Sequence, residues 1–292
     1  MQLSDFLILL SFIFVACGAL MYLYFSIFSK IFFQKGIKIT PERASSFGEF
    51  VNGLTGPIFA LSGFLIIYAT IMDQNRENSL QHFESKLFKL LEFNRENSLQ
   101  ISIKSPLDCE EISGGAVWKR FYLQIRNSYQ IIQSDTCLIR LAQNDKIHLA
   151  FATFYFGYSN TDSLRFHSVL DSFKLSPINK SNYIEKLKIR KTCSGWLSYF
   201  VGYSNKLGFF INQFFSTLNY IDKQNIINKN QKNEYAKMLT VQNDIYCQLV
   251  MYYYLQSKIC TQDEIKLNTN YNLLEGIDST LLFHLTLSQS ED

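Results

Sequence analysis

Breakers are scarce in this chain. Four prolines and thirteen glycines in 292 residues are too few to punctuate a turn-rich β-sandwich or barrel, and they exclude collagen-like and low-complexity architectures. The six cysteines are Cys17, Cys109, Cys137, Cys193, Cys247 and Cys260. No two stand in a C-x-x-C spacing, so neither a zinc ribbon nor a dithiol redox pair is encoded. Cys17 lies in an apolar run, and the remaining five form an odd number, which fits reduced thiols better than a disulfide framework. Phosphate loops of the G-x-x-x-x-G-K-[ST] type, G-x-G-x-x-G, H-E-x-x-H and G-x-S-x-G are all missing. His82, His148, His167 and His284 are far apart and have no cysteine or carboxylate at ligand spacing. The sequence therefore names no catalytic residue, no metal and no cofactor.

Charge of one sign is lacking too. Lys and Arg number 28 against 25 Asp and Glu, so nucleic acid is not an electrostatic partner. The charges are unevenly spread. Positions 1–72 carry only Lys30, Lys35, Lys38, Arg43, Asp5, Glu42 and Glu49, leaving two long uncharged stretches.

Phe6 to Phe28 contains no charge and, at about 1.5 Å per residue, reaches roughly 34 Å, enough for a hydrocarbon core of about 30 Å. Residues 1–5 hold no Lys or Arg, and bulky Tyr22, Tyr24 and Phe25 fill its end. Those features fit a retained span rather than a cleaved signal peptide. Leu54 to Met72 is the second uncharged stretch. Gly56 and Pro57 stand at its start, as proline does in a first helical turn. Gly56, Ala60 and Gly63 recur at i, i+4 and i+7 and predict a small-residue face for close helix packing, with Ala16 and Ala19 as the matching surface. Residues 1–72 thus read as a transmembrane hairpin (about 6–28 and 54–72) in the bacterial inner (cytoplasmic) membrane, with the lipid bilayer as partner. Orientation signals oppose each other. The basic connecting loop points that loop to the cytoplasm, whereas the reduced thiols and Arg76, Lys86 and Lys89 behind the second span favour a cytoplasmic domain. A cytoplasmic domain is the expectation adopted.

Residues 73–101 read as a connecting amphipathic helix, with Leu80, Phe83, Leu87, Leu90 and Leu91 on one stripe and Glu84, Lys86, Lys89 and Glu92 off it. Extended to Asn94 and Ile101, the stripe resembles a short heptad seam, suited either to self-association of two copies or to packing on the chain's own domain. Asn-Arg-Glu-Asn-Ser-Leu-Gln occurs twice, at positions 75–81 and 94–100.

Residues 102–292 read as an all-helical soluble domain, so the fold class is mainly α. Ser105-Pro106 and Gly114-Gly115 break the chain. Val117 to Gln133 predicts a helix with Trp118, Phe121, Ile125, Tyr129 and Ile132 on one side, and another spans Ile147 to about Tyr158. Residues 176–195, between Pro177 and Gly195, hold Lys180, Lys186, Lys188, Arg190 and Lys191 against Glu185, a pattern of a solvated face. Phe209 to Ile221 is aromatic and helical in spacing. Gln231 to Ser257 reads as one long helix with Tyr235, Met238, Leu239, Gln242, Ile245, Leu249 and Tyr252 on one face. Thr261 and Glu264 predict a capping box opening a last short helix.

Several blocks together resemble the abortive infection proteins related to AbiC, which act in phage resistance. The blocks are Phe47-Gly48-Glu49-Phe50, Gly56-Pro57 with the second span, Phe83 to Glu92, Asn94-Arg95-Glu96-Asn97, Ala150-Phe151 through Phe154-Tyr155-Phe156-Gly157, and Gly202 through Leu207-Gly208 to Tyr220-Ile221-Asp222. Tyr235, Leu239 and Gln242 complete the series, which covers about 47–255 in the family's order. The resemblance implies a membrane hairpin followed by a helical domain that senses a phage component and halts growth. It also singles out Asn94, Arg95, Glu96, Asn97, Gln242 and Asp244 as polar candidates. The chain departs from the family pattern. Phe209, Asn212 and Gln213 stand where the family has histidines and an arginine, Asn243-Asp244 replaces Leu-Ser, and Cys247 replaces a glutamate.

Two readings compete with this one, a structural membrane scaffold and a membrane-bound nuclease. The latter rests on Arg126-Asn127, whose following positions Ile131, Ile132 and Gln133 lack the histidine a helical ribonuclease uses. It also rests on Glu84-Ser85-Lys86 and Glu264-Ile265-Lys266, carboxylate-x-lysine triplets that lie in predicted helices and arise often as solvent-facing charge.

Overall fold

In the computed structural model, residues 3–27, 40–104, 111–158, 162–193 and 200–286 are described. Lys30, Lys35, Lys38, Ser105, Pro106, Cys109 and Gly195 lie outside them, as do the side chains of Arg43, Arg190, Lys191 and Cys193. The chain is mainly helical and divides into two units, Met1–Glu84 and Ser85–Asp292.

The first unit is built from α1, Leu3–Ile27, and the start of α2, a 60-residue helix from Pro41 to Gln100. Proline opens α2, where its missing N–H costs nothing. Pro57 therefore sits inside a continuous helix rather than at a start. Both α1 and α2 are long and apolar enough to cross a membrane.

α1 and α2 run antiparallel along a seam of small side chains. Ser4, Ser11 and Gly18 on α1 repeat every seven residues, as do Thr55, Ser62 and Ala69 on α2, and all six are buried. The Ser11 and Ser62 hydroxyls lie 2.9 Å apart, and the Ser62 hydroxyl also donates to the Ser11 carbonyl at 3.0 Å. A β-carbon on Gly18 would meet the Phe59 ring at 3.1 Å. A seven-residue period keeps one face aligned along a left-handed pair. The predicted face is thereby corrected. Ala60, Ala16 and Ala19 are exposed, and nothing approaches within 4 Å of a β-carbon built on Gly63. Size at i, i+4 and i+7 pointed to the wrong side because the contact takes serine and threonine, whose hydroxyls bond to backbone and to each other.

The second unit begins on the end of α2. Leu87, Leu91, Asn94 and Ser98 are buried, so the predicted stripe faces the chain's own domain. One correction concerns its class. The domain is not all-helical, because β1, Ser102–Lys104, pairs antiparallel with β2, Glu111–Ser113, with Ile103 opposite Ile112. Three-residue strands carry too little periodicity to read from sequence.

α3, Gly115–Gln133, is the central helix, and Trp118, Phe121, Ile125, Tyr129 and Ile132 are all buried as predicted. It packs on α4, Gln143–Phe156, which is apolar on nearly all sides, and on α9, Ile245–Gln256. α5, Ser163–Ser172, and α6, Pro177–Cys193, cover the outside. Tyr183 of α6 is fully buried, within 2.9 Å of the Thr153 hydroxyl and 3.4 Å of the Ser128 hydroxyl, and burial pushes its phenol up to about 12. α7, Ser204–Asp222, α8, Lys229–Val241, α10, Gln262–Tyr271, and the single-turn α11, Phe283–Thr286, complete the domain.

The predicted helix over 231–257 is two helices. The chain turns at Gln242-Asn243-Asp244, where Asp244 caps α9 by accepting from the Tyr246 amide at 2.8 Å. Met238 and Ile245, assigned to one buried face, are exposed at 46% and 38%. A capping aspartate outcompeted an apolar period that continues across it. The capping box at Thr261 and Glu264 is present as expected, although α11 follows α10.

Candidate functional site

Two surfaces carry the functional question, the outside of the α1–α2 pair and the polar positions at the helix ends of the second unit. The first is inverted relative to a water-soluble protein. Its interior holds serine, threonine, glycine and alanine, whereas Phe12, Leu20, Phe64 and Ile67 point outward at 61–65% exposure. Only 11% and 17% of the most apolar windows of the two helices are buried. Tyr22 and Tyr24 are exposed near one end of α1, and Tyr68 is exposed on α2. With Ser11 opposite Ser62, Tyr68 stands level with about residue 5. The two tyrosine levels are then separated by roughly 18 residues, about 27 Å along the pair. At the end beyond Tyr68, a small cleft is lined by Ser4, Asp5, Asp73, Arg76 and Glu77, so charge resumes where the apolar surface stops.

At the second surface, the end of α2, the start of α3 and the first turn of α9 converge. The Trp118 indole N–H donates to the Ser98 carbonyl at 3.0 Å, and the Ser98 hydroxyl bonds to the Cys247 thiol. Burial pushes that thiol well above its ordinary value, so it is inert rather than nucleophilic. Asn94, one turn before Ser98, is fully buried, and neither atom of its amide has a hydrogen-bond partner among the described residues. Arg95 and Glu96 are exposed, and Asn97 is half-buried. Gln242 closes α8 and is half-buried. The Asp244 carboxylate caps α9 and lies 3.5 Å from a β-carbon built on Gly115, the first residue of α3. Its charge therefore sits at two helix N-termini, where the exposed amides favour an anion. Of the motif residues, Gln242 and Asp244 are therefore a helix end and a helix cap, whereas Asn94, Arg95, Glu96 and Asn97 lie within the last turns of α2.

No known protein family, curated protein or solved structure matches this chain.

Two blocks of the resemblance meet in space. The chain leaving α4 runs beside the chain entering α7, with the Tyr203 amide donating to the Tyr155 carbonyl at 2.8 Å and the Tyr158 amide donating to the Phe200 carbonyl at 3.2 Å. Gly157 and Gly202, both at positive φ, stand back to back here. A β-carbon on Gly157 would come within 2.4 Å of the Val201 carbonyl carbon, and one on Gly202 within 2.2 Å of the Phe156 oxygen. Phe121, Phe154 and Tyr203 cluster behind the contact with ring centroids 4.7–5.4 Å apart. Phe209 and Asn212, in the first half of α7, have separate surroundings. Phe209 is exposed and meets the Phe93 ring at 6.3 Å, and Asn212 lines an open groove of about 460 Å³ with Asn219, Asp222, Lys223 and Asp263.

The nuclease triplets hold no convergent site. Glu264 is buried and accepts from the Tyr254 hydroxyl at 2.8 Å and the Thr261 amide at 2.7 Å, as a cap does. Glu84 and Lys86 lie on α2, where Lys86 stands 4.8 Å over the Tyr220 ring. Arg126 is half-buried on α3. Among the described residues, no group of three or more His, Cys, Asp or Glu gathers as a metal site would.

Sequence reasoning missed two features of the core. Asp135 is buried and pairs with Lys186 at 2.8 Å. Burial alone would raise its carboxyl, but the Lys186 bond and the Leu138 and Cys137 amides outweigh that and hold it below the usual range. His148 is buried beside Lys258. Burial, and then that lysine's charge, drive its imidazole down to about 4, and its Nδ1 accepts the Lys258 amide at 3.2 Å.

Proposed function

We propose that the chain crosses the bacterial inner membrane twice, through α1 and the Leu54–Met72 part of α2, and holds its helical domain in the cytoplasm. It acts there in antiviral defence in the manner of AbiC-type abortive infection proteins, sensing a phage component and halting growth. The observation that carries the membrane part is the inverted hairpin. A fully exposed Phe, Leu or Ile loses about 1.5–3 kcal/mol if water rather than an apolar medium covers it. Phe6, Leu9, Phe12, Ile13, Leu20, Leu23, Phe64, Ile66, Ile67 and Ile71 all face outward. At 42–65% exposure each forgoes about half of that, so together they forgo roughly 7–15 kcal/mol, as much as the whole stability of an ordinary domain, about 5–15 kcal/mol. Lipid removes that cost, and the Ser11–Ser62 pair supplies the polar contact that holds helices together where apolar packing offers no driving force. The tyrosine levels, about 27 Å apart, fit interface belts around a core of about 30 Å.

What supports the defence part is the order of the resembling blocks, two of which make one structural contact through Gly157 and Gly202. Expression in a bacterial host challenged with a broad phage panel tests it. The expected result is reduced plaque formation by at least one phage, and unchanged counts across the panel would refute it. The nuclease reading is weaker, because Glu264 is engaged as a cap.

A further inference from the structure

The end of the described chain is held by one aromatic side chain. Phe283 is 1% exposed, and its ring stacks on Tyr253 with centroids 4.2 Å apart and an interplanar angle of 12°. Tyr129 and Tyr122 complete the pocket at 5.1 and 5.9 Å. The backbone on either side is gripped as well. The Tyr122 hydroxyl donates to the Leu281 carbonyl at 2.5 Å, and the Gln143 amide donates to the His284 carbonyl at 3.3 Å. Gln143 is itself aligned by the Tyr129 hydroxyl at 3.0 Å, and His284 Nδ1 lies 3.2 Å from the Tyr253 hydroxyl. The pocket thus reads an aromatic anchor and two flanking carbonyls, as a peptide-recognition site does. Arg126 stands one turn from Tyr122 on α3, near its hydroxyl, with a buried Nε that has no hydrogen-bond partner among the described residues.

The segment that fills this pocket is joined to α10 by surface chain. Asn272, Glu275, Gly276, Asp278, Ser279 and Thr280 are exposed. Such a strap exchanges more readily than a core element, because releasing it exposes only the Leu282 and Phe283 side chains and breaks few backbone bonds.

We propose that the Tyr122–Tyr129–Tyr253 pocket is an exchangeable docking site for a Leu-Phe-His strap, filled by residues 282–284 of the same chain at low density and by the same strap of a second copy when chains are crowded together. Both arrangements use identical contacts, so only the linker path and the local chain density separate them. Segment exchange of this kind gives a reciprocal dimer and is favoured when anchors confine copies to a surface. That confinement rests on the membrane reading, whereas the pocket and strap do not.

Two measurements on the full chain in detergent or nanodiscs test it. In the first, Phe283→Ala, or a wild-type chain cut at a protease site inserted after Gly276, is offered a labelled synthetic peptide of residues 278–286. Uptake at least tenfold above that of uncut wild type is expected, with none for the peptide carrying Phe283→Ala. Absence of uptake by both the variant and the cut chain overturns the proposal, and the cut chain decides the matter if the variant fails to fold. In the second, Gln143→Cys and His284→Cys are carried on separate, differently tagged chains. A disulfide between the two tags that rises with chain density is expected. Peptide uptake without that cross-link overturns the assignment to a second copy. A soluble rather than membrane-bound chain would show itself in fractionation and leave the uptake result intact.

Discussion

Gly157→Ala should destabilise the helical domain out of proportion to one methyl group. Gly157 has φ 71° and ψ 159°, a region that is essentially glycine-only and costs about 1–3 kcal/mol for any other residue. The added β-carbon would also stand 2.4 Å from the Val201 carbonyl carbon and 2.5 Å from the Gly202 nitrogen. Those are backbone atoms, so α4 and α7 must separate, at a further cost of about 1–3 kcal/mol or more. The sum, about 4 kcal/mol, is a large share of a stability of about 5–15 kcal/mol. At about 2–4 °C per kcal/mol for a domain of this size, it corresponds to a fall of roughly 12 °C in Tm. Thermal melts of the purified chain in detergent, followed by near-ultraviolet circular dichroism, read it directly. Gly276→Ala is the control, since nothing lies within 4 Å of its β-carbon and its φ is outside the left-handed region. That variant should shift Tm by no more than a few degrees. Equal shifts for the two variants would refute the close approach of the α4 exit and the α7 entry.

In the hairpin, Ser62→Leu should disrupt α1–α2 pairing whereas Gly63→Leu should be tolerated, because Ser62 is buried against Ser11 and Gly63 is not in the seam; disulfide trapping between the helices reads this, and the opposite order would restore the Gly56–Ala60–Gly63 face. Acid should weaken the helical domain through His148. With its folded value held at about 4 and an unfolded value of 6.5, the unfolded chain takes the proton first. Stability is thus full above pH 6.5 and falls as pH drops towards 4, by up to about 3 kcal/mol. Urea midpoints across that window should flatten in His148→Gln, and an unchanged slope would remove His148 as the cause. Glu264→Ala should lower stability by about 1–2 kcal/mol as a lost helix cap while leaving phage protection unchanged at permissive temperature; selective loss of protection with full stability would revive a chemical role.

Long-range periodicity was the most legible signal. The stripe from Trp118 to Ile132 is where its spacing puts it, because a 3.6-residue period over four or more turns has few competing explanations. Of the stripe from Leu80 to Ile101, the positions Phe83, Leu87, Leu91, Asn94 and Ile101 are buried while Leu80 and Leu90 are half-buried. The capping box at Thr261 was legible for a different reason, since two side chains satisfy two amides at a fixed spacing. Local stops were less legible. The break at Gln242–Asp244 was hidden by apolar residues on both sides that happen to continue one helical phase. α5 carries only Phe166 and Leu170 as buried anchors, too few to declare a period. The hairpin seam was misread because its inside takes small polar side chains, and a search for apolar stripes passes over serine. Of the motif candidates, Asp244 turned out to be a cap at a junction, which no spacing reveals when its second partner is the start of α3. Gly157 and Gly202 were visible as block residues, but their pairing needed the fold, since 45 positions separate them.

If lipid solvates the outside of α1 and of Leu54–Met72, membranes carrying the full chain will show it under alkaline carbonate extraction. The chain should stay in the pelleted membranes through the carbonate wash and leave them only with detergent. Release into the supernatant by carbonate, or recovery in the soluble fraction before it, would mean that water and not lipid covers these helices.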